Sequence, residues 1–504
     1  MAHGAALSGC IMWFAVIFLA ILRLIYWVFA FPNSDEAYYW WWGQNFSFSY
    51  YDHPPLFAWL QGLVAQVLPH DFWSLRFLNL ISNGVFFYVY WWLAGYLYPA
   101  GRKQAWLLLI TAVGSAPLYF VMLTLAWHDH LMITLCLAGG AVLVQYLDDY
   151  KFKDLVRDQL LYFGVFLLAL AVITKYNAVL FCLGIVAMLC GDRQLRQLIT
   201  WQRAIAVLSI FCLVLVPVLL WNFQHDFPSF RYYLTRSVAG GLWIQRLLEP
   251  VGFVVISALM LSPFNCCLLY WVWRSGDWQS LRAKTIYPQL AIAVFGVSTG
   301  ILWVVSLIST AYYYWNITAY LLLFPLIPLA WQKYEHSIQQ ILLGVIVYGL
   351  AFALIFVVNY TVFPITALFS PSADPDGRML YGWHKVEGYI HTISDSADQP
   401  LVTTDYRSAS AIAYVMPQRK VTALSQRVSQ FDFQNVGFSQ RFILIWDDWY
   451  PLTMWHKAQI AKINWDRVKV LPIYQWGVWL KNYYIAEAQA LTPLPKLTQN
   501  GGTD

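Results

Sequence analysis

Apolar intervals long enough to cross a bilayer dominate this chain, and they constrain its fold more than any other feature. A membrane-spanning helix needs about 20 consecutive apolar residues. Such charge-poor intervals lie near residues 11–31, 77–98, 104–124, 131–147, 159–173, 178–191, 204–221, 249–273, 289–308, 316–331 and 341–363. We therefore predict about eleven transmembrane helices. The two short intervals 159–173 and 178–191 could instead form one broken helix, so the number of spans stays open there.

The distribution of charged residues divides the chain into two predicted domains. Of the 504 residues, 60% are hydrophobic and only 11% are charged, whereas soluble proteins average about 25% charged residues. The charges are sparse over residues 1–363 and reach an ordinary density over 364–504. We predict a polytopic α-helical membrane domain over the first range and a soluble α/β domain over the second. In the α/β domain the sequence favours strands at 400–404 and 441–446, and helices at 408–414 and 452–463.

Lysine and arginine concentrate in alternate loops, which predicts the orientation in the membrane. Residues 102–103, 151–157 and 193–203 carry many of them, and such loops usually face the cytoplasm. The N-terminus then lies in the cytoplasm as well. The loops 32–76, 125–130 and 222–248 fall on the opposite side, together with residues 364–504.

The composition supports neither a nucleic-acid-binding protein nor a domain held by disulfides. A sequence pI near 8.6 without a clustered basic face lacks the electrostatic footprint of a nucleic-acid-binding protein. All seven cysteines lie in apolar stretches, where buried small hydrophobic residues are the usual interpretation. The C-terminal domain is therefore predicted to fold without disulfides.

Two adjacent acids, Asp35 and Glu36, follow the first predicted span. Acids at this depth are costly unless they are hydrated or paired. One interpretation is a helix N-terminus that is capped by Asn33 or Ser34 and complemented by the two acids. The other is a functional site at this end of the span, with the acids in it. A dense group of aromatic residues from Tyr38 onward favours a loop that packs back around such a site.

Histidines and aspartates of the metal-ligand type occur in two of the outer loops. Asp52 and His53 precede two prolines that restrict the backbone, and the second loop contains His128, Asp129 and His130. Each group alone is also compatible with hydrated loop residues that bind nothing. Together they predict a divalent metal site, although their spacing matches no zinc motif.

Cations and tyrosines on the face that is otherwise poor in positive charge predict a phosphate-binding site. The candidates are Lys175, Arg231, Arg236, Tyr313 and Tyr314. Arginine and lysine are the usual phosphate ligands. The alternatives are snorkelling or contact with membrane lipid phosphates for the cations, and an interfacial aromatic belt for the tyrosines.

The sequence of the predicted outer loops resembles that of a known family. Residues 35–40 and 51–56 are similar to the first periplasmic loop of GT-C glycosyltransferases that use polyprenyl-phosphate sugars. These enzymes are bacterial relatives of the protein O-mannosyltransferases and include lipid A aminoarabinose and core galacturonic acid transferases. Residues 127–131, 174–178 and 221–230 support the resemblance.

The resemblance implies roles for individual residues. Asp35 would be the acid of the catalytic centre, Asp52 a metal ligand and Asp129 the acid of the second loop. Lys175 would be the lysine that the family carries in the region after the second loop, and Tyr313 or Tyr314 would be its tyrosine on the phosphate side. His53 departs from the pattern, because the aminoarabinose transferases have lysine there in a Glu-Lys-Pro sequence.

We therefore expect an inner-membrane glycosyltransferase. Its donor would be a sugar on a polyprenyl phosphate of the undecaprenyl type, and its acceptor lipid A, lipopolysaccharide, another glycan or a protein hydroxyl on the periplasmic side. Membrane lipids would surround it, and a divalent ion is a possible cofactor. The alternative is a transporter or a flippase of lipid-linked sugars. Transporters place ionisable residues near the bilayer midplane, whereas the acids here lie in outer loops, which favours the enzyme.

Overall fold

The structure is a computed structural model that describes residues 2–236, 243–369, 374–394, 399–433 and 441–490. It divides into two compact units. The first comprises Met1–Leu24, Ser47–Phe57 and Arg76–Ile355, and the second Ile25–Phe46, Ala58–Leu75 and Phe356–Asp504. The second unit thus contains the predicted C-terminal domain together with two segments of the predicted outer loop 32–76 and the ends of the first and last predicted spans.

Helices make up nearly all of the described chain before the C-terminal part. They are α1 (Ala2–Phe29), α2 (Ser34–Gln44), α3 (Leu56–Val67), α4 (Phe72–Leu75), α5 (Phe77–Leu97), α6 (Arg102–Gly114), α7 (Pro117–Thr124), α8 (His128–Lys153), α9 (Asp158–Val172), α10 (Ala178–Gly191), α11 (Trp201–Gln224), α12 (Pro228–Arg236), α13 (Trp243–Leu261), α14 (Pro263–Ser275), α15 (Asp277–Arg282), α16 (Tyr287–Ile308), α17 (Ile317–Tyr320) and α18 (Ile327–Thr361).

These helices confirm a multi-pass membrane protein. In the described residues, six helices are long and apolar enough to cross a membrane, or nine if each of three bent helix pairs counts as one span. The predicted intervals 159–173 and 178–191 correspond to two shorter apolar helices, α9 and α10. Every predicted apolar interval therefore has a helical counterpart.

Proline accounts for the bends in the three pairs. Helices α6 and α7 meet at 81° and α13 and α14 at 93°, and Pro117 and Pro263 are the first residues of the second helix in each pair. Pro325 lies at the third bend, which is 42°. A proline lacks the N–H that would continue the preceding helix, but its fixed φ suits the first helical turn.

Arg23, the only charged residue that interrupts a predicted span, is buried and hydrogen-bonded in the first unit. Its guanidinium donates to Asn83 Oδ1 at 3.0 Å and to Thr124 Oγ1 at 3.1 Å. Charged groups in a spanning helix are tolerated when they face polar partners inside the bundle. This arginine is therefore a structural link between three helices.

The described C-terminal part is an α/β domain, as predicted. Its helices are α19 (Pro375–Met379), α20 (Trp383–Ile393), α21 (Tyr406–Val415) and α22 (Met454–Ala458), and its strands are β1 (Leu401–Thr403), β2 (Val421–Ala423), β3 (Arg441–Asp447), β4 (Ile460–Ile463), β5 (Lys469–Gln475) and β6 (Val478–Ala490). The strands form one mixed sheet in the order β2-β1-β3-β6-β4, with β5 also paired to β6. Strands β1, β2 and β3 are parallel, and β6 is antiparallel to its neighbours.

One predicted helix of this domain is wrong. Residues 452–463 contain only the short helix α22, and the following β4 pairs with β6. Ile460 lies in the hydrophobic core with strand residues such as Leu444 and Ala486. Burial of this strand against the sheet overrides the helical pattern of the isolated segment.

The aromatic residues of α2 pack against the C-terminal domain within the second unit. The rings of Tyr38 and Tyr406 have centroids 4.9 Å apart, and those of Trp41 and Phe431 are stacked at 3.8 Å. The Gln430 N–H also donates to Tyr38 Oη at 2.5 Å. The aromatic density after the first span is thus explained by packing between protein segments.

Candidate functional site

A buried ion pair joins the start of α8 to the turn before α10. Lys175 Nζ donates to both carboxylate oxygens of Asp129, at 2.8 and 2.7 Å. The side chains are 7% and 2% exposed. A buried pair of this kind is stable only when both charges are present and well oriented. The structure therefore brings together two residues that the sequence assigned to different ligands, a metal ion and a phosphate.

The tyrosine-rich turn before α17 lies beside this ion pair. Lys175 Nζ is 5.2 Å from the centroid of the Tyr314 ring, and Asn177 Nδ2 donates to the Trp315 carbonyl at 3.4 Å. The Tyr313 and Tyr314 rings contact each other edge to face at 5.5 Å. A cation near an aromatic face gains electrostatic stabilisation from the ring. Lys175 and Tyr314, both predicted to bind phosphate, are therefore neighbours.

Histidines from the first and second predicted outer loops also meet in the first unit. The rings of His53 and His128 have centroids 4.6 Å apart, and Phe57 lies against His128 at 5.0 Å and against His130 at 5.3 Å. His130 is fully buried, and its Nδ1 is hydrogen-bonded to Ser82 Oγ at 2.6 Å. The two predicted loops therefore converge, with His130 turned toward α5.

The first turns of α12 hold the loop that carries Asp52 and His53. Ser229 Oγ donates to the Tyr50 carbonyl at 3.1 Å, and the rings of Tyr232 and Tyr51 are 5.1 Å apart. Tyr233 Oη donates to the Asp52 carbonyl at 2.6 Å. The sequence did not single out Tyr233, because a tyrosine in an aromatic-rich loop has no distinguishing neighbour in the sequence.

The Tyr233 hydroxyl also fixes the orientation of His53. Its oxygen lies 3.2 Å from His53 Nδ1. Because the single hydroxyl proton goes to the Asp52 carbonyl, Tyr233 accepts a hydrogen bond from the Nδ1–H of His53. This assignment follows from the bonding pattern, and it fixes the orientation of the imidazole ring.

A strained turn positions α12. Asp226 and Phe227 both have positive φ, at 61° and 58°. Asn222 spans the turn, since its carbonyl accepts the Phe227 N–H at 2.7 Å and its Oδ1 accepts the Ser229 N–H at 3.2 Å. Left-handed conformations cost energy in residues with a Cβ and persist only where the surroundings enforce them. The segment 221–230, which supports the resemblance to the GT-C family, thus contains the turn that positions α12.

The predicted metal site does not form as a cluster of ligands. Among the described residues, no three His, Cys, Asp or Glu side chains are arranged to hold a metal ion. Of the five predicted ligands, Asp129 is paired with Lys175 and His130 is bonded to Ser82. We therefore derive no catalytic step from a metal, and the divalent ion stays a prediction.

The two predicted phosphate-binding arginines lie on α12. Arg231 is exposed, two residues before Tyr233. Arg236 ends the helix, and its side chain lies outside the described part of the structure. The helix that contacts the first loop therefore carries both candidates.

The predicted catalytic acids Asp35 and Glu36 lie in the first turn of α2, in the second unit. Asn33 is the N-cap, and its Oδ1 accepts the N–H groups of Asp35 at 3.1 Å and Glu36 at 3.0 Å. Glu36 is fully buried, and its carboxylate accepts the Asn33 N–H at 3.1 Å and the Tyr26 hydroxyl at 3.4 Å. This reciprocal arrangement is a capping box, and it is the helix-capping interpretation of Glu36. Asp35 is partly exposed.

Comparisons with known proteins agree with this architecture. Residues 52–221 match the family described as dolichyl-phosphate-mannose-protein mannosyltransferase. The chain is 24% identical over 392 residues to the lipid A galacturonosyltransferase RgtD of Rhizobium johnstonii, which covers 75% of this chain and 76% of that protein. Crystal structures of ArnT from Cupriavidus metallidurans cover 97% of this chain and 99% of theirs. The undecaprenyl phosphate-bound form has a TM-score of 0.59 at 13% identity, and the apo form 0.62 at 12%.

These similarities confirm the resemblance found in the sequence. The segment matched by the family model contains Asp52, Asp129 and Lys175, and the structural likeness covers 97% of the chain. They favour a glycosyltransferase over the transporter or flippase alternative. The protein is therefore a multi-pass membrane glycosyltransferase, and it has the same fold as ArnT.

Proposed function

We propose that this protein transfers one sugar from an undecaprenyl-type polyprenyl phosphate to an acceptor such as lipid A on the periplasmic side of the bacterial inner membrane. The Lys175–Asp129 pair with Tyr314 beside it carries this proposal, because it holds a buried ammonium group in a fixed position at the predicted outer face. The similar ArnT was crystallised with undecaprenyl phosphate, and RgtD is named for galacturonosyl transfer to lipid A. Of hexosyl and pentosyl donors, the relationship to RgtD favours the hexosyl.

Lys175 is suited to stabilise the leaving phosphate. An ammonium group has three N–H donors, and among the described residues two of the donors of Lys175 are used by Asp129. When the bond between sugar and phosphate breaks, negative charge grows on the phosphate oxygens. A preorganised cation at that position lowers the barrier. The carboxylate of Asp129 compensates the charge of the ammonium group in its buried position, and the hydroxyls of Tyr313 and Tyr314 are proposed as further donors.

Asp35 is proposed to act on the acceptor. Its carboxylate would remove a proton from an acceptor hydroxyl or, for an acceptor that is already ionised, orient the attacking oxygen. Neighbouring Glu36 is occupied by the capping box, so we assign it a structural role beside the acid that acts. His53, oriented by Tyr233, is proposed to contact the donor phosphate.

A transfer assay with purified protein tests the proposal. The full chain in nanodiscs would be incubated with undecaprenyl phosphates that carry galacturonic acid, aminoarabinose or mannose, and with lipid A as acceptor. We expect one donor to give a glycosylated acceptor detected by mass spectrometry, and Lys175→Gln to reduce that product strongly. The proposal is overturned if no donor is used while a purified ArnT works in the same preparation, or if Lys175→Gln retains the wild-type rate.

The orientation needs a separate test. Enzyme fusions that are active only in the periplasm, joined after residue 370, should report activity if the C-terminal domain lies outside. The distribution of lysine and arginine over the loops is the basis for this expectation. Activity of a reporter that works only in the cytoplasm, fused at the same position, would contradict it.

A further inference from the structure

A cationic, tyrosine-lined cluster at the start of α21 is not used by the proposed transfer chemistry. Arg407, which is half-buried, donates through Nε to Tyr406 Oη at 3.3 Å and through Nη1 to Tyr450 Oη. Its guanidinium carbon lies 5.3 Å from the Tyr406 ring and 5.2 Å from the Tyr450 ring. The three residues belong to the same unit, so their arrangement is defined within it.

A second arginine shares the same aromatic ring. The guanidinium carbon of Arg427 is 4.3 Å from the centroid of Tyr406. Two cations on one ring repel each other, and the ring's quadrupole offsets only part of that cost. Two guanidinium groups therefore meet at one aromatic ring of the C-terminal domain.

Two nearby acids act on the arginines without accepting a hydrogen bond from the guanidinium of Arg407. Asp405 caps α21, and its Oδ1 accepts the Arg407 backbone N–H at 2.9 Å. Within the described ranges, Arg407 forms no ion pair with any carboxylate, although Asp405 and Asp376 interact with it electrostatically. A guanidinium has five N–H donors, and two of those of Arg407 go to neutral hydroxyls. Its remaining donors suit an oxyanion.

Buried hydrogen bonds and an ion pair hold the segment that carries Tyr450 in place. Asp447 accepts the N–H groups of Trp449 at 2.9 Å and Tyr450 at 2.8 Å, and it pairs with Lys481 at 3.4 Å. The side chains of Asp447 and Lys481 are 1% and 0% exposed. Thr404 Oγ1 donates to the Tyr450 carbonyl at 2.5 Å. Binding groups that are fixed by a supporting network lose little entropy when a ligand arrives.

The cluster also adjoins the helix of the proposed catalytic acid. Tyr38 of α2 contacts Tyr406 with ring centroids 4.9 Å apart. Asp35 lies three residues before Tyr38 in the same helix, and residues so spaced are neighbours on one helix face. A ligand on Arg407 would therefore lie beside the face of α2 that carries Asp35.

We propose that Arg407, Arg427 and Tyr450 bind a phosphate group on the headgroup of the acceptor and thereby orient it toward α2. This inference rests on the proposed function, because it names how the acceptor of that reaction is recognised. The planar guanidinium of Arg407 offers parallel N–H donors to phosphate oxygens, and Tyr450 Oη adds a hydroxyl at the same place. Arg427 contributes charge from the other side of the cluster.

Steady-state kinetics on the full chain in nanodiscs test this site with two acceptors, phosphorylated lipid A and the same lipid after enzymatic dephosphorylation. We expect Arg407→Gln to raise KM for the phosphorylated acceptor by about 10- to 100-fold, because a charge-assisted hydrogen bond to the phosphate is lost. The value of kcat should change little. KM for the dephosphorylated acceptor should not change. Tyr450→Phe should give a smaller effect in the same direction, and Arg407→Lys an intermediate one. Arg467→Gln, an exposed arginine of the same domain, is the matched control.

The outcomes separate the possible sources of phosphate. Equal increases in KM for both acceptors would overturn the proposal, since the site would then not recognise phosphate. Weaker binding of Arg407→Gln to phosphatidylglycerol vesicles with an unchanged acceptor KM would also overturn it, because the cluster would then be a membrane contact. Binding of phosphorylated lipid A in the absence of donor, measured by tryptophan fluorescence and competed by inorganic phosphate, should weaken in Arg407→Gln. This binding readout stays informative even if no tested sugar is transferred.

Discussion

Two buried carboxylates, one in each unit, occupy the first turn of a helix and are neutralised in different ways. Glu36 of α2 is satisfied locally, by the Asn33 N–H three residues away and by the Tyr26 hydroxyl. Asp129 of α8 is satisfied by Lys175, which is 46 residues away in the sequence. A local capping box stabilises one helix, whereas an ion pair between distant segments fixes a charge in a buried place. The comparison teaches that the position of an acid in the sequence, at the start of a helix, does not show whether its carboxylate has a local structural role or takes part in a site formed by distant segments.

The largest expected effect separates Asp35 from its neighbour. Asp35→Asn preserves shape and removes the charge, so the transfer rate should fall about 100- to 10,000-fold if Asp35 is the general base. Glu36→Gln is the matched control, and it should retain most activity because its carboxylate is a cap. Near-wild-type turnover in Asp35→Asn would refute the assignment as base. A modest loss on an acceptor that is itself a phosphate would indicate an orienting role.

The second prediction concerns the stability of the distant pair. Lys175→Met leaves Asp129 buried without its cation, which should lower the free energy of unfolding by about 3–5 kcal/mol. The double variant Lys175→Met/Asp129→Asn should recover most of that loss and still fail to transfer sugar. Thermal unfolding in detergent, followed by tryptophan fluorescence, would measure both.

A more exposed pair in the same unit provides the control for that measurement. Lys151 and Asp192 are 2.6 Å apart, with side chains 18% and 19% exposed, so Lys151→Met should cost no more than about 1 kcal/mol. A similar loss in Lys151→Met and Lys175→Met would show that burial does not distinguish the two pairs.

The third prediction tests the local carboxylate. Glu36→Gln keeps an oxygen that can accept the Asn33 N–H but removes the charge that favours the helix N-terminus. The unfolding free energy should fall by about 1 kcal/mol. Asn33→Ala, which removes the cap itself, should cost a similar amount. A loss as large as that of Lys175→Met would mean that the capping box supports more than one helix.

The smallest expected effect is a pH dependence of stability at a third carboxylate, Asp432, which like Glu36 is bonded to a residue near it in the sequence. Burial raises the pKa of Asp432 from 3.8 to about 6, against the opposing hydrogen bonds from Ser429. Because the folded state favours the protonated form, this group's contribution to stability is fully present below pH 3.8 and is lost as the pH rises through 6. With solvent screening of a partly exposed group, the loss should be below about 1 kcal/mol. Relative to Asp432→Asn, the wild-type melting temperature should therefore fall between pH 4 and 6, and parallel curves would contradict this.

The sequence by itself determined the membrane domain, and it limited the N-cap of α2 to Asn33 or Ser34. Apolar intervals report burial in lipid directly, because each spanning helix must satisfy its own backbone hydrogen bonds. Asn33 followed by Glu36 is a local pattern whose partners lie within three residues. The α/β character of the C-terminal domain was also predictable, because the buried strands β1 and β3 and the helix α21 have local patterns in the sequence. The helix predicted at 452–463 was wrong, because pairing with β6 decided the conformation of β4.

Only the tertiary structure decided which polar residues meet. Lys175 with Asp129, Tyr233 with His53, and Arg407 with Tyr450 are pairs of residues far apart in sequence. No periodicity records such contacts, because they depend on how helices and loops pack after they have formed. The structure paired a predicted metal ligand with a predicted phosphate ligand, and it revealed Tyr233 as the residue that orients His53. Residue types show which chemistry is available, whereas packing in three dimensions determines which groups can carry it out together.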